Sequence, residues 1–149
     1  MIRVVIAAEE DLPRILEIEQ DAISPPWTHG ALLSAMYKDD SIFFVAIDGL
    51  SADGDVVGFA VFRQVGDDGE LLKIAVDKSA RGKGFGDLLM NAVLEKAKDN
   101  AFPSIFLEVR SSNTAAIRLY EKHGFSTVRV RKNYYNYPVE DAIVMIINL

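Results

Sequence analysis

The sequence predicts one α/β domain over residues 1–149, built on a mixed, mostly antiparallel sheet of about seven strands flanked by four helices. Three observations carry this expectation. Strand-sized apolar runs and helix-period segments follow one another in the order βααβββαβαββ. A glycine-rich stretch, ARGKGFGD (Ala80–Asp87), stands between an apolar run and a helical one, which predicts a βαβ crossover and two parallel strands. Half the residues are apolar and 26% are charged, enough to fill a core at this length.

Ile2–Ala7 reads as the first strand. Asp11–Gln20 carries Leu12, Ile15, Leu16 and Ile18 near helical spacing, with Pro13 tolerable in the first turn. Ser24-Pro25-Pro26-Trp27 breaks that helix, and Thr28 caps a second one running to Tyr37. Ile42–Ile47 and Val56–Val65 are strands joined by the turn-rich Asp48–Asp55, and Glu70–Val76 follows the turn at Gly66–Gly69. Beyond the glycine loop a helix runs to about Asn100, with Leu88, Leu89, Ala92, Val93, Lys96 and Ala97 as its inner stripe. Ser104–Arg110 is a strand, and Thr114–His123 a helix capped by Ser112 or Asn113 and stopped by Gly124. Phe125–Arg131 and Ala142–Asn148 are the last strands, joined by KNYYNYPVED.

Composition narrows the function. Sixteen basic residues against 22 acidic ones give a net charge of −6, which argues against a nucleic-acid binder and suits a cationic partner such as an amine or a basic peptide. No cysteine is present, so thiolate metal sites and an acyl-cysteine intermediate are excluded. The only two histidines, His29 and His123, lack ligand spacing, and no metal is expected. Early charges argue against a signal peptide, and the apolar runs are too short for a bilayer. A soluble, cytoplasmic protein is the expectation.

The glycine loop lacks the spacing of a Walker A loop and of a dinucleotide fingerprint. A plain turn into a helix would explain the glycines alone. The surroundings favour an anion: a helix N-terminus offers unsatisfied amides, and Arg81 and Lys83 add charge, although Asp87 opposes it.

Arg81-x-x-Gly84-x-Gly86 resembles the pyrophosphate loop of the GNAT acetyltransferases. With IEQDAISPPW near the front, LEVRSSNTAAIRLYEKHGF (Leu107–Phe125) and RKNYYNYPVEDAIVM, nearly the whole chain resembles the ribosomal-protein-alanine N-acetyltransferase family. That resemblance implies a GNAT fold with a splayed pair of parallel strands at an acetyl-CoA site. It implies acetyl-CoA contacts at Ile74, Ala75, Val76, Arg81, Gly82, Lys83, Gly84, Phe85, Gly86, Asp87 and Asn113. It implies Glu108 as general base, Tyr120 as general acid, and an acceptor groove bordered by Trp27, Tyr134 and Tyr135. The implied partner is a protein N-terminus, with the alanine start of a ribosomal protein as the family's signature acceptor. Two departures bear on this: the hairpin between Tyr137 and Glu140 is shorter than is common in the family, and the Asp48–Asp55 loop is longer.

Each residue also has a plainer reading. Glu108 could simply pair with Arg110 on its own strand face, Tyr120 could be core packing with a wet hydroxyl, Asn113 a helix cap, Trp27 a core anchor, and Tyr134 and Tyr135 part of an exposed hairpin. The chemistry leans towards N-termini. Deprotonating an α-amine at pH 7 costs roughly 1 kcal/mol, and a lysine roughly 4–5 kcal/mol. A transferase acting on lysines or small amines, and a silent acyl-CoA sensor, stay open as alternatives. Oligomeric state is not legible.

Overall fold

In the computed structural model, which describes residues 2–19, 27–49 and 55–149, the apolar runs join in one seven-stranded sheet of order β1-β2-β3-β4-β5-β7-β6. The strands are β1 (Ile2–Ile6), β2 (Ser41–Asp48), β3 (Asp55–Val65), β4 (Asp68–Val76), β5 (Ser104–Arg110), β6 (Ser126–Tyr135) and β7 (Glu140–Asn148). The helices are α1 (Leu12–Glu19), α2 (His29–Met36), α3 (Phe85–Asp99) and α4 (Thr114–Lys122). Every pairing is antiparallel except β4 with β5, which are parallel as the crossover demands.

Both faces of the sheet are covered at β2 and β3, which explains why β2 reads as an unbroken apolar run, whereas β6 at the far edge is exposed. Phe44 and Ala46 point to the face under α3 and α4, where Phe85, Leu89, Met90, Val93 and Tyr120 pack. Phe43, Val45 and Ile47 point to the other, under α1 and α2, against Leu12, Ile15, Ile18 and Leu32. Thr28 caps α2 by accepting the Ala31 N–H at 3.1 Å, and Asn113 caps α4 by accepting the Ala116 N–H at 3.2 Å. No helix among the described residues is long and apolar enough to cross a membrane.

Several expectations need correction. Helix α3 starts at Phe85, and Met90 belongs to its buried stripe while Leu88 is exposed. Strands β6 and β7 run further into KNYYNYPVED than expected, because Lys132 and Asn133 donate to the Asp141 carboxylate and hold the two strands together past Arg131. Glu108 does not pair with Arg110. The Arg110 guanidinium instead donates to Glu140, Pro138 O and Asn136 O. The helix end at Gln20, the Ser24-Pro25-Pro26 break and most of the Asp48–Asp55 loop lie outside the described residues.

Candidate active site

The sheet opens between β4 and β5. Their ladder covers only Gly69–Leu71 against Ile105–Leu107. Val61 of β3 faces Lys73 and Phe62 faces Leu71, so Leu72 is the extra residue of a bulge. Beyond it, Ile74, Ala75 and Val76 keep their β3 partners, but no strand among the described residues covers their other edge. That edge presents main-chain donors and acceptors to a cavity of about 800 Å³.

One end of the cavity is the start of α3. Gly84 precedes the helix at φ 87° and Gly82 stands at φ 78°, in the left-handed region that glycine enters without strain. The first helical bond runs from the Leu88 N–H to Gly84 O, so the amides of Phe85, Gly86 and Asp87 precede any helical acceptor. Donors and dipole converge there on a small volume, as an anion requires. Asp87 borders the same space as an opposing charge. His123 at 2.8 Å and Lys122 at 3.0 Å hydrogen-bond its carboxylate and hold its pKa below the usual value. Arg81 folds back to donate to Val76 O at 3.1 Å, tying the loop to the end of β4.

The other end holds Glu108, one residue past the splay on β5. Its side chain is 18% exposed, Oε2 is buried without a hydrogen bond, and Arg131 Nε stands 3.9 Å from it. An incompletely satisfied carboxylate at a cavity wall is costly in a purely structural role. Tyr120 lines the same cavity from α4 and packs on Phe125 with ring centroids 5.9 Å apart. Burial pushes its pKa well above 10, so its hydroxyl keeps its proton at any physiological pH. Tyr135 is pushed up to about 12 by burial and by the negative charge of Glu108. The Arg110 guanidinium stacks 4.4 Å from the Tyr135 ring centroid and fixes it.

The cavity thus gathers Trp27, Ile74, Ala75, Val76, Arg81, Gly82, Gly84, Phe85, Gly86, Asp87, Glu108, Asn113, Tyr120 and Tyr135 from distant parts of the chain. Lys83 is exposed and stands outside the lining. Tyr134 also stands outside it, packed edge-on against Tyr135 with Arg131 over its ring, and the charge of Glu108 raises its pKa. Sequence reasoning missed Glu19 and Lys73, which also line the cavity. One signal was available: Leu12, Ile15 and Glu19 fall at i, i+3 and i+7, so the carboxylate sits on the apolar stripe of α1.

The arrangement fits a long ligand with phosphates at one end and an amide-bearing arm along β4, leading to a carboxylate and a protonated phenol. Comparison with known proteins agrees. Residues 12–125 match the acetyltransferase (GNAT) family. The [ribosomal protein bS18]-alanine N-acetyltransferase of Haemophilus influenzae is 37% identical over 138 residues, covering 91% of this chain and 90% of that one. The crystal structure of the ribosomal-protein-S18-alanine N-acetyltransferase from Escherichia coli superposes with a TM-score of 0.87 at 32% identity, covering 99% of this chain and 94% of that one. Ard1 from Thermoplasma volcanium gives a TM-score of 0.88 at 28% identity, covering 99% and 97%. By matched length, identity and the splayed strand pair alike, the chain belongs to the GNAT acetyltransferases, in the ribosomal-protein-alanine N-acetyltransferase group.

Proposed function

We propose that this protein transfers an acetyl group from acetyl-CoA to the α-amine of a protein N-terminus by direct attack in one ternary complex. The observation that carries the reading is the convergence of Glu108 and Tyr120 on a cavity that starts at an anion-binding helix N-terminus. The acceptor we favour begins with alanine on a small-subunit ribosomal protein, the substrate named for the relatives in Haemophilus and Escherichia, and such an acceptor puts the reaction in the cytoplasm.

Acetyl-CoA supplies an activated thioester. The amides of Phe85, Gly86 and Asp87 would hold its diphosphate, and the open edge of Ile74–Val76 its pantetheine amides. Asn113 borders the same channel beside its capping role. Glu108, directly or through one water, takes the proton that the α-ammonium must lose before its nitrogen can attack the carbonyl carbon. Main-chain amides of β4 receive the negative charge developing on the carbonyl oxygen. As the nitrogen–carbon bond forms and the carbon–sulfur bond breaks, Tyr120 gives its proton to the departing thiolate, and the second proton that the nitrogen sheds on becoming an amide restores the phenol, directly or through water. An ordinary thiol has a pKa of about 8.5, so that transfer from a raised phenol is uphill and needs Tyr120 in contact with the sulfur. Trp27 and Tyr135 border the acceptor side.

The test is thiol release from acetyl-CoA with a peptide beginning in alanine and with the same peptide blocked at its N-terminus. The protein has no cysteine, so thiol above the no-enzyme control is free CoA. Release with the open peptide alone is the expected result. Equal release with both peptides would move the acceptor to a lysine side chain, and release with neither would refute the reading.

A further inference from the structure

Glu19 is the one acidic side chain among the described residues that is buried to 1% exposure, and it lies at the cavity wall. Its Oε1 accepts two donors from different parts of the fold: the Trp27 N–H at 3.0 Å and the Lys73 ammonium. The same ammonium stands 4.7 Å from the centroid of the Trp27 ring. Trp27 is thus held twice, at its backbone by Glu19 and on its ring face by Lys73. Lys73 directly follows the β4 bulge and precedes Ile74–Val76, so the pair fastens Trp27 to the strand that carries the open edge. It also fixes the approach to α2, because Thr28, the next residue, is the cap of that helix.

Stability does not explain this arrangement. A buried ion pair loses in desolvation about what it gains in attraction, and apolar residues of similar size do as well. Here the carboxylate is satisfied on one oxygen only, since Oε2 is buried without a hydrogen bond. Phe59, Leu72 and Ala75 pack on this side of the sheet and would accept apolar neighbours. What an apolar pair would not supply is direction: a donor aimed at one oxygen and a cation centred over one ring.

We infer that Glu19 and Lys73 are positioning residues for the acceptor: their ion pair sets where Trp27 stands, and through Trp27 how tightly the acceptor's first residues are held. The inference rests on the proposed acceptor reading for its second half only.

Trp27 is the sole tryptophan, so its emission reports the ring's surroundings directly. The variants are Lys73→Met, which removes the cation, Lys73→Arg, which retains it, and the double Glu19→Gln/Lys73→Met, which leaves no unpaired buried charge should the single change fail to fold. Loss of the cation should shift Trp27 emission and raise KM for an alanine-starting peptide about five- to twentyfold. The effect should be confined to the acceptor, with kcat and acetyl-CoA affinity moving less than twofold, and Lys73→Arg should keep both emission and KM near the parent values. Unchanged Trp27 emission in the Met variants would overturn the positioning claim whatever the acceptor is. So would a fall in acetyl-CoA affinity in step with acceptor affinity, or a Lys73→Arg loss as large as that of Lys73→Met. If the parent protein acetylates no peptide, the acceptor reading fails by itself, and emission still decides whether the pair holds the ring.

Discussion

Glu108 and Tyr120 are neighbours of one cavity with opposite solvation, and that difference assigns their tasks. Glu108 keeps a side chain 18% exposed at the cavity wall, where a water or an amine can meet it, while its Oε2 is buried without a hydrogen bond and leaves the carboxylate short of a donor. Tyr120 is sealed against Phe125, and burial keeps its hydroxyl protonated. Glu108→Gln should therefore lower kcat by about 10²–10⁴-fold while acetyl-CoA affinity, read by calorimetry, stays near the parent value. Loss of CoA binding in that variant would make Glu108 a structural residue instead. Tyr120→Phe removes only the proton donor from a ring that already packs, so folding should survive and turnover should fall, read by circular dichroism and thiol release on the same sample. The pairing of Glu108 with Arg110 looked natural on a strand where they share a face. The fold gave Arg110 to the hairpin, because Pro138 O, Asn136 O and Glu140 lie together beyond the end of β5. Local alternation shows which residues share a face, but not which partner arrives from 30 residues away.

At the scale of elements, the glycine loop was legible because its requirement is local. A helix start that must present amides needs a left-handed residue before it, and Gly84 at φ 87° supplies it. A Cβ at Gly84 would meet nothing within 4 Å, so the cost of Gly84→Ala is all backbone, about 1–2 kcal/mol. We expect melting to fall by roughly 2–8 °C and acetyl-CoA to bind more weakly, as the amides relax away from a common centre. Asp87 argues in the opposite direction. It faces the space where phosphates would lie, and its charge is partly offset by Lys122, with His123 hydrogen-bonded beside it. Asp87→Asn should tighten acetyl-CoA binding by about two- to fivefold at low salt, a benefit of about 0.5–1 kcal/mol that added salt should erase. Weaker binding in this variant would mean that the contact between α3 and α4 matters more than the charge. The splay itself was not legible from periodicity. The bulge at Leu72 leaves the apolar run LLKIAV intact and changes only which side each residue faces. The β6–β7 hairpin was underestimated for a related reason: Lys132, Asn133, Tyr134 and Tyr135 look like a polar loop, yet they form strand because Asp141 receives donors from two of them. Lys73 and Glu19 escaped notice for want of a partner in sequence, since their meeting depends on α1 lying across β4.

For the whole molecule, the site lies where two halves of one sheet meet through three residue pairs, Gly69–Leu71 with Ile105–Leu107. Ionic contacts add to the strand ladders and apolar packing that hold the second half around the cavity, so stability should carry a pH signature. Glu140 is held below its usual pKa by Ser112, with Arg110 and Ser111 adding to it, and Asp141 by Asn133 and Lys132. A carboxylate whose folded pKa is depressed stabilises the fold above its ordinary pKa and loses that contribution as pH falls through the folded value. Both groups sit at the start of β7, so the hairpin should loosen first in acid, from about pH 4 downward. The alkaline limb has the opposite origin. Burial raises Tyr120 and Tyr135, so above about pH 10 the unfolded chain releases protons that the folded one retains, and stability falls as pH rises. Melting temperature followed from pH 3 to 11 should form a plateau between about pH 5 and 9 with a fall at each end. Glu140→Gln should make the acid fall shallower, because Gln keeps hydrogen-bonding capacity without a titrating group, and Tyr120→Phe should make the alkaline one shallower, with Asp141 and Tyr135 supplying what remains. Activity should not follow this plateau. Its acid limb should lie near pH 8, where an α-amine loses its proton, well inside the range in which the fold is at its most stable. A rate that instead tracked the melting curve would show that loosening of the hairpin, rather than deprotonation of the acceptor, limits the reaction at low pH.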